Sequence, residues 1–448
     1  MIVGATPTST YMLSHPLPLA FFYISGESKS VVHWGQRKLI LHEIEFLNRY
    51  SPPGHPPSLV AYAGAAPGTH IPLLAALFPA LTFLLVDPSN FDIPEDIPRV
   101  HVYRRFFTDD FAASLRRLAS TLPADAKAWD EAIKSWPREQ FGEYGGIAAV
   151  RGQESEEREE EASGGQQEAD HEHCQESKVE GMIKLRGGGD VYFVSDVRTA
   201  DWTLMDPRQV EDAVADDLSS QMRWHALIRP TRSLLKFRLP YESAGQVGAA
   251  EEREEGGVTH YLDGKIMLPI FGPPTTTECR LDVGGDAPTR KYSNVEYGEA
   301  MFYHNTVSRV CAYPHKAQGG GLDHCYDCSC EVQILRSYLE SHVHAATALD
   351  DATQNEGAPH VEAWSRRISE VMALALSGQL DDATIMLSQL VSLGVSKRGR
   401  TLESEVPHTQ MDHFKSCGKS RSWAFMPPYM EATILHGAGR VVGRSRLI

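Results

Sequence analysis

Residues 59–70 read LVAYAGAAPGTH, a short apolar run that breaks into glycine and proline and then opens a helix. Val60 to Ala63 is expected to be a buried parallel strand, with Gly64 and Gly68 turning the backbone where a side chain would collide with a ligand. The helix that follows, over about 69–78, aims its N-terminal amides at the crevice above the strand ends. A second strand over 82–86 ends on Asp87, about 20 positions past the glycines, where a carboxylate accepts hydrogen bonds from ribose hydroxyls. This pattern points to an adenosine-containing cofactor and does not by itself separate NAD from S-adenosylmethionine.

Working outward, GQRKLILHEIEFLNRY (35–50) predicts a helix with Ile40, Leu41, Ile44 and Leu47 on one face and Gln36 and Lys38 at its start. Further strands are expected over 101–106, 190–195 and 233–239. A closing hairpin is expected over 265–271 and 278–283. That makes seven strands in an α/β protein with a mostly parallel sheet and one antiparallel strand near its edge. Residues 112–189 read as an insertion ending in an acidic tract unable to bury enough apolar surface to order itself. Helices are expected over 208–228, 299–313 and 331–343, with a pair over 360–393.

The chain divides into an extended lead-in (1–30), a main domain (31–345) interrupted by acidic stretches near 150–185 and 243–258, a helical extension (346–396) and a basic tail (397–448). At 448 residues and 42% hydrophobic it can bury a large core. No apolar run is long and uninterrupted enough for a membrane span, and no basic leader opens the chain. The net charge of −16 is concentrated: residues 153–180 carry −9 and 251–255 carry −3, leaving about −4 for the rest. A basic face for RNA is therefore compatible with the composition, and Met222 to Arg238, with five basic residues and no acid, is the expected phosphate track. Seven cysteines, three of them at 325, 328 and 330, suit a reducing compartment better than a disulfide framework. His324 beside them lacks a second pair at finger-like spacing, so no metal is expected.

Four residues stand at the ends of core elements: Lys38 at a helix start, Asp196 and Lys236 on strands, and Glu278 at the hairpin. In chain order they read Lys, Asp, Lys, Glu, which resembles the tetrad of ribose 2′-O-methyltransferases. Around them GQRKLILHEIEFL, YAGAAPGTHI, LLVDPSNFD, RRFF, FVSDVR, SLLKFRLPY, TTECRL and EYGEAMFYHN appear in an order that resembles the poxvirus family of cap-specific mRNA 2′-O-methyltransferases, whose members are also small regulatory subunits of a poly(A) polymerase. The likeness runs from about residue 35 to 305.

It implies a Rossmann-like S-adenosylmethionine-dependent methyltransferase fold with a helical C-terminal extension, acting on the ribose 2′-hydroxyl of the first transcribed nucleotide of capped mRNA. A poly(A) polymerase catalytic subunit is the implied partner, and the cytoplasm, a viral factory or the virion the implied location. The implied catalytic set is Lys38, Asp196, Lys236 and Glu278, with Lys236 as general base, its pKa expected to fall through burial beside Lys38 and a sulfonium. The implied cofactor contacts are Gln36, Tyr62, Gly64, Gly68, His70, Asp87, Phe107 and Asp196. Ser89 stands where the family has an arginine. For the cap, Arg238 and Tyr241 match, Thr275 and Gly298 replace an aromatic and a glutamate, and Glu242, Tyr297, Glu299 or Tyr23 are candidates to compensate.

Two other readings are weighed: an RNA-holding subunit of the polymerase without catalysis, and a nicotinamide-dependent oxidoreductase resting on the glycine turn and Asp87 alone.

Overall fold

Strands Ser58–Ala63 (β1), Leu81–Val86 (β2) and Val191–Ser195 (β4) are buried along their whole length, as strands covered on both faces must be. Here and below the protein is described from a computed structural model, over residues 34–94, 97–121, 131, 133–134, 189–241, 257–272, 275–312, 326–346 and 359–395. With Val100–Tyr103 (β3), Arg232–Phe237 (β5), Lys265–Met267 (β7) and Cys279–Gly284 (β8) they form one seven-stranded sheet in the order β3-β2-β1-β4-β5-β8-β7. β1 to β5 are mutually parallel, and β8 runs antiparallel to both β5 and β7. All seven strands read from the sequence are present, and β8 is the antiparallel one.

Alternate residues point to opposite faces of the sheet. Val60, Tyr62, Phe83, Leu85, Tyr192, Val194 and Leu234 join one core, while Leu59, Ala61, Leu84, Val86, Val191, Phe193 and Leu235 join the other. Trp34–Tyr50 (α1), Ile71–Leu77 (α2), Tyr326–Ala346 (α6), Pro359–Leu376 (α7) and Leu380–Gly394 (α8) cover the first face. Asp109–Thr121 (α3), Pro207–Ile228 (α4) and Asn294–Tyr303 (α5) cover the second. The helix pair assigned to the extension thus shares a core with the sheet: Trp364, Ile368, Val371, Leu387, Leu390 and Val391 are buried with Leu73, Leu74 and Leu77.

Three expectations are corrected. Residues 112–121 are not insertion but the body of α3, buried through Phe111, Ala112, Leu115 and Ala119. A second, two-stranded sheet pairs Val258–Leu262 (β6) with Thr289–Ser293 (β9), outside the strands read from sequence. Its Tyr261 and Tyr292 pack on Phe237 with centroids 5.6 and 5.2 Å away. The region expected as one helix over 299–313 is α5 followed by a π-helical stretch, His304–Ala312. The acidic tract of 153–180, most of the second acidic loop, the lead-in and the basic tail lie outside the described residues.

Three histidines buried among the described residues, His42, His225 and His304, are held toward the neutral ring. Burial is the leading cause that pushes His42 down to about 3, His225 to about 4 and His304 to about 3. Unfolding returns each ring to its ordinary range near 6.5. The folded state therefore keeps this contribution in full above pH 6.5 and loses it as pH falls toward those values. With three protons taken up on unfolding, stability is expected to drop by up to about 4 kcal/mol per pH unit near pH 5. Urea midpoints measured from pH 7.5 to 4.5 check the slope; a flat profile would exclude it.

Candidate active site

The strand order reverses between β1 and β4, the switch point where open α/β sheets bind ligands beyond their strand ends. Asp196 N donates to Ala63 O at 2.9 Å, and Gly64 N to Val86 O at 2.9 Å, so the three strand tips β4, β1 and β2 are tied side by side. Gly64 has φ +74°, and a Cβ there would lie 2.7 Å from the backbone nitrogen of Val197. Only glycine lets the β1 turn approach β4 this closely.

Four separate elements deliver the predicted quartet to this edge. Lys38 comes from the first turns of α1, Asp196 from the residue after β4, Lys236 from β5, and Glu278 from the residue before β8. Lys38 Nζ lies 2.7 Å from Glu278 Oε1, and Lys236 Nζ lies 3.0 Å from Asp196 Oδ1 and 3.7 Å from Glu278 Oε2. The sequence placed all four on element ends, and the fold brings them into one ion-pair cluster.

A fifth charge, Arg280, completes it and was not singled out from the sequence. Its guanidinium meets Asp196 Oδ1 at 2.5 Å and Glu278 Oε1 at 3.2 Å, and its Cα pairs with that of Lys236 across β5 and β8. The readable signal was the Glu-x-Arg spacing, since residues two apart near a strand share a face. Arg198 adds a more exposed guanidinium 3.7 Å from Glu278 Oε2.

Burial works against ionisation of Glu278, but Lys38, Lys236 and Arg280 overturn it and hold the carboxyl well below the usual range. Lys38 is lowered, first by burial and then by Arg280 and Lys236, against the pull of Glu278. Burial opposes the Arg280 charge, which Asp196 and Glu278 then reinforce, raising its pKa.

α1 lies along β8 as a polar seam. Lys38 meets Glu278, His42 feels Arg280, and Arg49 and Tyr50 reach Asp282 Oδ2 at 3.4 and 2.8 Å. On the next side of the helix Arg37 turns away from the site to Glu331 of α6 and to Ser388 and Ser392 of α8.

The expected cofactor contacts divide. Gly64 and Asp196 follow the ends of β1 and β4, Asp87 follows β2, Gly68 lies in the turn before α2 close to Phe91 and Ile93, and Gln36 is half-buried in the first turn of α1. Asp87 Oδ1 accepts from Ser89 N at 2.7 Å, so the serine contributes its backbone where the family has an arginine. Tyr62 and His70 are buried beneath the turn beside Glu43, whose Oε2 lies 3.2 Å from His70 Nε2. Burial, then Glu43 and Asp196, push the Tyr62 phenol well above its ordinary pKa. Phe107 is packed into the core, its ring 4.9 Å from Trp224 and 5.5 Å from Phe193. The glycine turn after β1 stands beside the Asp87 carboxylate, which accepts from Ala66 N at 3.4 Å as well, and the pair is compatible with an adenosine-containing group. The Phe107 ring, as placed, serves packing.

The cap and RNA expectations fare unevenly. Tyr241 and Thr275 line a pocket of about 250 Å³ that opens on Lys236 and Glu278. Arg238 stacks on the Tyr241 ring at 4.4 Å and pairs with Glu211 at 2.6 Å, while Tyr241 Oη bonds Thr277 Oγ1 at 2.7 Å. Tyr297 is corrected: its ring is buried against Phe237 and its hydroxyl donates to Thr277 O at 2.6 Å, so it has no face to offer a base. Glu299 is half-buried on α5, next to the buried Gly298, and Glu242 and Tyr23 lie outside the described residues.

The basic run 222–238 is also corrected as a continuous track. It folds as a helix end, a turn and a strand, so Arg232 sits at the far end of β5 from Lys236, bound to Asp282 at 2.7 Å and stacked on Tyr50 at 4.5 Å. Arg223 pairs with Asp109 at 3.3 Å.

The segment from α1 to α3 carries the glycine turn, Asp87 and Lys38. Residues 23–124 match the family model described as poly A polymerase regulatory subunit. The match supports that family over less than a quarter of the chain, and stops short of Asp196, Lys236 and Glu278. No curated protein matches the chain. Among solved structures, one of bluetongue virus VP4, titled as revealing a multifunctional RNA-capping production line, aligns at 11% identity and a TM-score of 0.29. The alignment covers 66% of this chain and 36% of that one. Among the described residues no group of three or more histidine, cysteine or acidic side chains is arranged to hold a metal, and no helix is long and apolar enough to cross a membrane. Cys328 and Cys330 are buried on α6, and His324 and Cys325 lie outside the described residues.

Proposed function

We propose that this chain transfers a methyl group from S-adenosylmethionine to the ribose 2′-hydroxyl of the first transcribed nucleotide of capped mRNA. One observation carries the reading: Lys38, Asp196, Lys236 and Glu278, spread over about 240 positions, meet as one ion-pair cluster at the switch point of the sheet. The sheet order, with its antiparallel strand between β5 and β7, supports the Rossmann-like methyltransferase fold that the resemblance implies.

S-adenosylmethionine supplies an electrophilic methyl carbon on a positively charged sulfur. Gly64, Gly68 and Asp87 would hold its adenosine part, and Asp196 would lie under its reacting end. Lys236 Nζ, held by Asp196 and Glu278, would position the ribose hydroxyl and, entering as the neutral amine, would take up its proton. Lys38 and Arg280 fix the two carboxylates, so the acceptor site is organised before substrate arrives.

The second reading, a regulatory subunit that holds RNA for a poly(A) polymerase, is favoured by the family match at 23–124. It makes the catalytic subunit of such a polymerase a proposed partner and is compatible with the first. Methyl transfer from labelled S-adenosylmethionine to short RNAs, capped and uncapped, separates them. Label at the first ribose of capped RNA is expected; no transfer to either RNA, with RNA still bound, would leave the holding role alone.

A further inference from the structure

The loop between Asp196 and α4 carries a feature that the quartet does not use. Trp202 is 69% exposed and Leu204 84%, although large apolar side chains ordinarily bury. The loop is nevertheless fixed. Thr199 donates through N and Oγ1 to Asp217, at 3.0 and 2.8 Å; Asp201 accepts from Thr203 N at 2.9 Å; and Asp206 caps α4 with a complete capping box. An aromatic ring is thus held out in solvent by a braced backbone.

Trp202 stands on the pocket of about 250 Å³ described above. Its lining combines apolar side chains, Val197, Val210, Val214 and Leu218, with Lys236 and Glu278 of the quartet. Its size, just below the roughly 300–1,000 Å³ of pockets that enclose drug-sized ligands, leaves room for a single base. A ribose presented to Lys236 Nζ places its own base within one sugar's reach. Flat bases stack on aromatic rings without regard to sequence.

We infer that Trp202 is the stacking wall for the base of the acceptor nucleotide, making this pocket a base-holding subsite that sets the acceptor ribose against Lys236. The inference rests on the methyl-transfer reading for the identity of that nucleotide.

The test uses the full chain and two short capped RNAs, identical except that one lacks the base of the first transcribed nucleotide. Binding is read by fluorescence anisotropy and methyl transfer by label. Trp202→Ala is expected to weaken binding of the intact RNA by about 5- to 100-fold, the range of base–aromatic stacking, and to leave the abasic RNA within twofold of wild type. Trp202→Phe is expected to restore most of the loss. Equal weakening for both RNAs, or none for either, overturns the inference even if methyl transfer is intact. Base-dependent weakening without methyl transfer by the wild type upholds the subsite and removes the enzymatic reading instead. Circular dichroism of Trp202→Ala, expected to match wild type because the ring is mostly in solvent, separates stacking from misfolding.

Discussion

Replacing Lys236 with methionine is expected to lower methyl transfer to capped RNA by about 10²- to 10⁴-fold, the contribution a positioned proton acceptor makes. Methionine keeps the length of the side chain and its packing on β5 but removes the nitrogen held 3.0 Å from Asp196 and 3.7 Å from Glu278. The two carboxylates stay compensated by Lys38 and Arg280, so the fold is expected to survive. Binding of S-adenosylhomocysteine, measured calorimetrically, should change by less than threefold. Transfer within tenfold of wild type would exclude Lys236 as the group that handles the hydroxyl proton. Lost transfer together with lost binding of the product would mean that the lysine supports the cofactor crevice instead.

The second large effect is on stability and falls on the neighbouring residue. Arg37→Met removes the cation that pairs Glu331 deep between α1, α6 and α8, where the arginine is 1% exposed. Among the described residues, Glu331 then keeps Ser388 Oγ, donating at 2.6 Å. A buried charge stripped of its counter-ion costs about 3–5 kcal/mol. Chemical denaturation is expected to show that loss for Arg37→Met and recovery of more than half of it in Arg37→Met/Glu331→Leu, where no buried charge remains. A single variant within 1 kcal/mol of wild type would show the pair to be dispensable. Because Arg37 and Lys38 are consecutive, their side chains diverge by about 100° around the helix. One anchors the helix from behind, and the other reaches the quartet.

The parallel half of the sheet was legible because strands buried on both faces must be continuously apolar: LVAYA, LTFLLV and VYFVS contain little else. The quartet was legible for a different reason, since charged residues at the ends of such runs have nowhere to point but the rim. The second sheet escaped notice because β9, TRKYS, exposes its first three residues and offers neither alternation nor an apolar run. Tyr297 was misread for want of the third dimension: a tyrosine in a helix beside the site looks the same in sequence whether its ring faces a ligand or Phe237. α1 hid most. Its apolar positions predict a one-sided helix, but Arg37, His42 and Glu43 are buried too. Their partners lie on α6 and α8, just past β7 and in the turn before α2, and no local pattern reports contacts up to nearly 300 residues away.

The seam between α1 and β8 fixes more than orientation. Travel of the helix by a single turn, 5.4 Å, would carry Lys38 from the carboxylate of Glu278 toward the guanidinium of Arg280 and take Arg49 from Asp282. Opposed signs along the groove make a one-turn shift repulsive. Lys38 is thereby indexed to the strand like a tooth in a rack, and with it the carboxylate of Glu278 that Lys236 also approaches.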